Sequence, residues 1–450
     1  MFRKVLVANR GEIALRVIRT CKEMDVKTVA VYSDADKDSL HVKYADEAVN
    51  IGKPVARKSY LNREKIIEVA KTTGADAIHP GYGFLAEDEA FTRACEDSGV
   101  KFIGPSSESQ RKAGSKIEAR RKAREVGVPV SPGSEGAVSV EEASEVAREI
   151  GYPVIIKASG GGGGRGMRIA GDAKELDKFF RMAKGEASAA FGDSNLYIEK
   201  YFTEPRHIEF QILADEFGNY IHMGERECSI QKRYQKLIEE SPSTVVDEQL
   251  RKKMGDAAIK VVSSIGYFNA GTVEFLVDKD KNFYFNEINS RLQVEHPVTE
   301  MVTGIDLVRQ QLVIANGDRM EVEQDDVRPN GWSIECRINA EDPDEDFAPS
   351  PGVIKNLLLP GGFGVRVDTH IYENYEIPPF YDSLLGKLIV WGGNREIAIK
   401  RMQRALAEFR IEGVKVTLPF YREVFQDRDF IEGSINTHFL ENFNYGKRAR

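Results

Sequence analysis

Glu274 and Glu287 fall on two short alternating runs, Thr272 to Val277 and Phe283 to Asn289, separated by a polar turn. With residues 279–282 as the loop, Asp278 pairs with Phe283, and counting outward sets Glu274 directly opposite Glu287. Like charges in that relation repel, so the pair calls for a shared proton or a cation between them. Asn289, two residues beyond Glu287, shares its face and adds a third oxygen. Three oxygens, completed by water and phosphate, are how Mg²⁺ is held on a nucleotide. The competing reading is a solvated hairpin face with the register displaced by one.

The same strand is expected to run on, with Arg291, Gln293 and Glu295 alternating on one face until Pro297 ends it. A guanidinium fork for a planar oxyanion, an amide and a carboxylate that can act as a base suit a small protonated anion that is held and deprotonated. A purely structural ion-pair ladder is the alternative.

A third signal is Ser159 followed by Gly160 to Gly164, with Lys157 before the run and Arg165 after it. Val154 to Ile156 and Met167 to Ile169 read as strands on either side, so the glycines form the tip of a hairpin flap. Its backbone N–H groups suit phosphate oxygens, and glycine lets the chain approach them closely. A flexible linker is the plainer reading. Walker A and the dinucleotide fingerprint are excluded, because the loop leads into a strand rather than a helix.

These groups need elements to position them. The 450 residues suggest roughly three domains at about 150 residues each. The first hundred alternate strand and helix, with strands at Val5 to Ala8, Thr28 to Tyr32, Ala77 to His79 and Lys101 to Ile103. The helices between them are Gly11 to Met24, Tyr60 to Lys71 and Glu89 to Ser98. This is a doubly wound parallel sheet, and ligands in such sheets lie outside the carboxyl ends of the strands. The loop His79 to Phe84, which presents Tyr82, falls there. A helical linker from Ser107 to Val126 follows, with Arg120, Arg121 and Lys122 read as a solvated face. Ser139 and Glu142 form a capping box for a helix that stops at Gly151. Then come the flap, a helix through Leu176 and Phe180, and the strand Leu196 to Lys200. Strands at His207 to Leu213 and Tyr220 to Met223 precede an amphipathic helix through Leu250, Met254 and Val261. From about Trp332 the chain is rich in short strands, and Arg395 to Phe409 is expected to be the final helix.

The net charge of −8 argues against nucleic acid as a partner. No apolar run approaches the ~20 residues of a membrane span. Met1 to Lys4 leads straight into a strand, which leaves no signal peptide. Cys21, Cys95, Cys228 and Cys336 form no C-x-x-C pair and read as reduced thiols. The expected compartment is the cytoplasm.

The run Glu287-Ile-Asn-Ser-Arg-Leu-Gln-Val-Glu-His-Pro-Val-Thr-Glu300 resembles the signature of biotin carboxylase, in the ATP-grasp superfamily. So do Ala8-Asn-Arg-Gly-Glu-Ile-Ala14, His79-Pro-Gly-Tyr-Gly-Phe-Leu85, Lys157-Ala-Ser-Gly-Gly-Gly-Gly-Gly-Arg-Gly-Met167 and Glu335-Cys-Arg-Ile-Asn-Ala-Glu-Asp342. The resemblance spans nearly the whole chain in family order. It implies an α/β protein with an N-terminal doubly wound domain at 1–113, an ATP-grasp domain at 114–330 with a mobile lid at 131–203, and a C-terminal α+β domain at 331–446.

It also implies a reaction. ATP phosphorylates bicarbonate to carboxyphosphate, which breaks down to CO₂ and phosphate, and biotin N1′ takes up the CO₂. By resemblance, Lys116, Lys157 and the flap with Gly162, Gly163 and Gly164 hold the ATP phosphates. Glu199, Lys200, Phe202, His207 and Gln231 surround adenine and ribose. Glu274, Glu287 and Asn289 hold Mg²⁺ or Mn²⁺. Arg291, Gln293, the Val294 N–H and Lys236 clasp bicarbonate, and Glu295 deprotonates it. Arg337 stabilises the enolate oxygen of the ureido group, and Tyr82 borders the biotin.

Three places depart from the family pattern, one of them Ala86-Glu87-Asp88 where Ser-Glu-Asn is common. The family commonly has histidine in Gln-x-x-His-Gln-Lys, where this chain reads Gln231-Lys-Arg-Tyr-Gln-Lys236; Tyr234 does not titrate near neutral pH. The residue before Lys116 is often aspartate and here is Ser115.

The chain has no Met-Lys-Met biotinylation motif. The resemblance therefore implies a separate subunit, commonly a homodimer, whose partners are a biotin carboxyl carrier protein and carboxyltransferase subunits. Acetyl-CoA carboxylase, at the start of fatty acid biosynthesis, is the first system implied. A propionyl-CoA or pyruvate carboxylase is the alternative. A carbamoyl-phosphate synthetase half is the same-class rival and a silent nucleotide-binding regulator the different-class one.

Overall fold

The computed structural model describes residues 1–159, 167–191 and 194–446. The N-terminal part is a five-stranded, all-parallel sheet, in spatial order Glu47–Gly52, Lys27–Ser33, Lys4–Val7, Ala77–His79, Lys101–Phe102. After Lys4 its central strand is wholly apolar, as a strand covered on both faces must be. Helix Gly11–Glu23 buries Ile13, Val17 and Cys21 against it. At the carboxyl ends, Asn9 Nδ2 donates to the carbonyls of Pro80 and Tyr82, both at 2.7 Å. A Cβ on Gly81 (φ +63°) would lie 2.9 Å from that same Nδ2, so glycine is needed there for both conformation and space. Tyr82 is thereby held in the expected crevice.

The expected single helix from 107 to 126 is two. Ser107–Gly114 and Lys116–Glu125 meet at Ser115, whose extended backbone breaks the run and whose side chain accepts from the Glu118 N–H. Serine caps a helix as aspartate does, which accounts for that departure from the family pattern. Lys116 therefore opens a helix. Arg120 is also corrected: it is buried rather than solvated, 2.7 Å from Glu199, with its Nη2 donating to the Ser131 carbonyl.

A three-stranded module follows, in the order Arg168–Ala170, Val154–Ala158, Leu196–Lys200. The two strands flanking the glycine run pair antiparallel, as the hairpin reading requires. Gly162, Gly163 and Gly164 lie outside the described residues. Helices Val140–Ile150 and Ala173–Phe191 cover the module, and Ser139 and Glu142 form the capping box.

The largest element is an eight-stranded antiparallel sheet. Its order is Phe283–Asn289, Asn269–Val277, Arg206–Ala214, Tyr220–Lys232, Gln235–Ser241, Trp332–Asn339, Leu384–Gly392, Val365–Thr369. It runs without a break from the middle of the chain into its last third, because Gln235–Ser241 pairs with Trp332–Asn339. Helix Glu248–Ser264 packs against its first half and helix Arg395–Glu408 against its second. The latter is not the final helix: Leu418–Val424, Arg428–Glu432 and Phe439–Asn442 follow. Their apolar residues (Phe420, Tyr421, Phe430, Phe439) complete the C-terminal core; the segments are too short for a periodic signal. Among the described residues no helix is long and apolar enough to cross a membrane.

Ser139→Ala should loosen helix Val140–Ile150 by about 1 kcal/mol. Amide exchange should then quicken in that helix alone; unchanged protection there would show that the cap is dispensable.

Candidate active site

Glu274 does face Glu287, but by a route other than the one expected. The turn is one residue longer, since Val277 rather than Asp278 pairs with Phe283. Asp278 instead accepts from the N–H groups of Asp280 and Asn282. A bulge then inserts Asn286 between Phe285 and Glu287, which restores the register. The row continues across the sheet: Glu287 opposite Glu274, Glu274 opposite Glu209, Glu209 opposite Arg226. Three carboxylates in line are tolerable only with cations among them.

Those cations come from three directions. Lys116, at the start of its helix, lies 2.9 Å from Glu287. Arg226, wholly buried, binds Glu209 at 2.5 Å and also holds Gln211, Thr272 and Thr299. Lys236 Nζ donates to Glu209 at 2.6 Å, Glu274 at 3.1 Å and Glu295 at 2.7 Å. Burial opposes its charge, but these carboxylates raise its pKa well above the ordinary lysine range. His207 Nε2 lies 3.3 Å from Glu274. Burial alone would lower its pKa, yet the Glu274 charge carries it up to about 9. Glu274, pushed up by burial, is held well below the ordinary carboxylate range by Lys236 and His207.

The second half of the site differs from the expected ladder. The strand stops at Asn289; residues 290–295 form an irregular turn, and Glu295 directly precedes helix His296–Thr303 without a side-chain capping bond. Pro297 thus opens a helix instead of ending a strand, a position where its missing N–H costs nothing. Arg291 and Gln293 do meet, Nη1 to Oε1 at 2.8 Å, while Glu87 holds the Arg291 Nε at 2.8 Å and the Ser290 N–H at 3.1 Å. Glu295 takes its partners from other strands. It is fully buried, with Lys236 on Oε1 and Arg337 Nη2 on Oε2 at 2.9 Å. Arg337 is fixed by Glu239, whose Oε1 accepts from its Nε at 2.7 Å. Burial pushes the Glu239 carboxyl up to about 7 despite Arg337, and the Glu295 charge adds to the rise.

The other described residues of the predicted site have these partners. Lys157 Nζ donates to Glu199 at 2.8 Å, and Phe202 stacks on Tyr284 at 4.8 Å between ring centres. The Gln231 amide is 3.1 Å from His207 Nδ1. Lys200 turns instead to the carbonyls of Gly151 and Tyr152. The Tyr82 hydroxyl donates to Glu12. Tyr234 sits with Arg233 in a two-residue hairpin turn, both at positive φ, and is 55% exposed. From there it can offer a hydrogen bond but no proton near neutral pH. Sequence reasoning missed Glu87, Arg120, Glu209 and Arg226. What sets them apart from other charged residues is how they are packed and paired, which is a tertiary property.

The donor set suits a hard divalent cation. Glu274, Glu287 and Asn289 lie on paired strands, with the Asn289 Nδ2 donating to Glu274 Oε1 at 2.9 Å, so a cation would take the carboxylate oxygens and the Asn289 carbonyl oxygen. The ammonium groups of Lys116 and Lys236 already supply positive charge at both carboxylates.

Three family matches together run along nearly the full chain. The family "Biotin carboxylase, N-terminal domain" matches residues 1–109, "Carbamoyl-phosphate synthase L chain, ATP binding domain" matches 115–323, and "Biotin carboxylase C-terminal domain" matches 335–442. Biotin carboxylase 1 of Bacillus subtilis is 54% identical over 446 residues, 99% of each chain. The chain belongs to the biotin carboxylase family. It is an ATP-dependent ligase of the ATP-grasp kind, acting with Mg²⁺ on bicarbonate and biotin. A pyruvate carboxylase subunit of Methanothermobacter thermautotrophicus is also 54% identical, covering 99% of this chain and 91% of that one. The biotin carboxylase domain dimer of Hydrogenobacter thermophilus 2-oxoglutarate carboxylase, solved with MgADP, ADP and bicarbonate, superimposes with a TM-score of 0.94 at 51% identity, covering 98% and 97% of the two chains. The middle match alone would admit a carbamoyl-phosphate synthetase half; the flanking biotin carboxylase matches remove that rival. Two of these relatives are named for different final acceptors, pyruvate and 2-oxoglutarate, and are almost equally similar, so identity does not choose the acceptor.

Arg226→Leu should destabilise the protein by about 3–5 kcal/mol, because it leaves the buried Glu209 short of a cation. Urea denaturation would measure it, and a loss below about 1 kcal/mol would mean that Lys236 alone balances the row.

Proposed function

We propose that this chain performs the first half-reaction of a biotin-dependent carboxylase on a carrier protein's biotin, with the residue roles below. The observation that carries the reading is Lys236, which touches Glu274 on the nucleotide side and Glu295 on the bicarbonate side. One ammonium group thus spans the distance over which a phosphoryl group must pass to bicarbonate.

Lys116 and Lys157 now rest on Glu287 and Glu199 and exchange these partners for ATP phosphates. Gly162, Gly163 and Gly164 are taken as further phosphate donors. Glu199, Lys200, Phe202, His207 and Gln231 form the nucleoside wall. Glu274, Glu287 and Asn289 hold Mg²⁺, which neutralises charge on the terminal phosphates. Arg291, Gln293, the Val294 N–H and Lys236 hold bicarbonate. Glu295 takes its proton, and the freed oxygen attacks the γ-phosphorus as ADP leaves. Carboxyphosphate falls apart to CO₂ and phosphate, the released phosphate takes the N1′ proton, and biotin N1′ forms the new bond to the carbon of CO₂. Arg337 balances the charge that develops on the ureido oxygen, and Tyr82 borders the ring.

The functional units are 1–113, 114–330 with its lid at 131–203, and 331–446. We take the working form as a homodimer in the cytoplasm, served by a biotin carboxyl carrier protein and carboxyltransferase subunits. Acetyl-CoA carboxylase is the system favoured, with propionyl-CoA and pyruvate carboxylases as alternatives. Copurification of the partner chains decides among them.

Glu295→Gln should bind ATP normally and lose at least about 100-fold of bicarbonate-dependent ATP cleavage, as expected for removal of a general base. Normal turnover by that variant would remove Glu295 from the role. Chelation of divalent metal should abolish turnover, with recovery on adding Mg²⁺ or Mn²⁺; activity that survives chelation would refute the assignment of Glu274 and Glu287.

A further inference from the structure

Lys387 is a lysine with no exposed side-chain surface, which is costly unless its charge has work to do. It stands on strand Leu384–Gly392 directly opposite Arg337. Its Nζ donates to the Val294 carbonyl at 2.8 Å and lies 3.2 Å from Glu12 Oε1. That same Glu12 oxygen accepts the Tyr82 hydroxyl. The four groups come from distant parts of the chain: the first turn of helix Gly11–Glu23, the loop after Ala77–His79, the turn at 290–295 and a strand near the C-terminus. Their common point is the Lys387–Glu12 pair.

The Val294 carbonyl belongs to the peptide plane that leads to Glu295. A peptide is rigid, so holding this carbonyl sets where the Glu295 side chain departs. It also limits the rotation of Val294, whose own N–H lies just upstream. Other carbonyls of the turn are held as well, Leu292 by Arg291 and Gln293 by His296 Nδ1. Those anchors are local to the turn, whereas Lys387 ties it through Glu12 to Tyr82.

We propose that Lys387 and Glu12 are positioning residues that fix the Val294–Glu295 peptide and link it to Tyr82, so that the biotin and bicarbonate subsites share one buried hydrogen-bonded chain. The inference rests on the placement of bicarbonate and base given above. Neither residue touches substrate. Both act through the geometry of Glu295 and the Val294 N–H, and the Tyr82 hydroxyl shares the anchor.

A purely structural pair would alter stability and leave the substrate constants in proportion. The test is steady-state kinetics with bicarbonate, ATP and free biotin varied separately. Lys387→Met leaves Glu12 buried without its cation, so the double variant Lys387→Met/Glu12→Gln, neutral at both positions, accompanies it. The double variant should raise the KM for bicarbonate about tenfold and lower kcat, with the KM for ATP within about twofold. Tyr82→Phe keeps the ring and loses one hydrogen bond; it should raise the KM for bicarbonate by about threefold, a substrate that the ring itself does not border. Wild-type bicarbonate kinetics in the double variant, or a Tyr82→Phe effect confined to the biotin KM, would overturn the proposal. Glu295→Gln run alongside separates the two readings. If it is inactive while these variants are normal, only the link fails; if it too is normal, the placement of the base fails first.

Discussion

A single buried ammonium group, that of Lys236, makes this site possible. Glu209, Glu274 and Glu295 converge within hydrogen-bonding distance of it, in a place where water does not screen their charges. Without a central cation, three such carboxylates would repel one another or take up protons. With it the carboxyls of Glu209 and Glu274 are held well below the ordinary carboxylate range. The attraction offsets desolvation only if the geometry is close, and the antiparallel register supplies that geometry.

The eight-stranded sheet explains how distant segments reach one cleft. Its first half lines up Glu287, Glu274, Glu209 and Arg226 across four strands. Its second half presents Arg337 and Lys387 as a directly opposed pair. Gln235–Ser241 lies between the two halves and carries both Lys236 and Glu239. The Glu274–Glu287 pair and the Glu295–Arg337 pair are thus joined across one hydrogen-bonded surface. The N-terminal parallel sheet meets this surface through Glu12 and Tyr82, at the carboxyl ends of its strands.

Charged residues that look alike in sequence play different parts here. Arg120, Arg121 and Lys122 are consecutive, yet Arg120 is buried beside Glu199 while its neighbours reach solvent. Glu87 follows a loop without an obvious signal and holds the Arg291 guanidinium in place. Such residues hold other charged groups of the candidate site in place. Their importance comes from how they are packed, since a desolvated ion pair holds its partner far more rigidly than an exposed one.

Much of this protein was legible without coordinates. The parallel N-terminal sheet follows from strand and helix periodicity, the capped lid helix from Ser139 and Glu142, and the Glu274–Glu287 pair from alternation about a turn. Each of these depends on residues close together in the chain, where spacing dictates geometry. The reading failed where a local irregularity intervened. The longer turn and the bulge at Asn286 cancel each other, so the pair was correct although the turn was not. Beyond Asn289, side-chain alternation alone could not distinguish a continuing strand from a turn and a helix start, and Glu295 found its partners on other strands. By itself, the sequence determined which chemical groups are present and which fold carries them. Only tertiary structure decided which charges are stripped of water and set against each other, because desolvation depends on what packs around a residue and not on its neighbours in the chain.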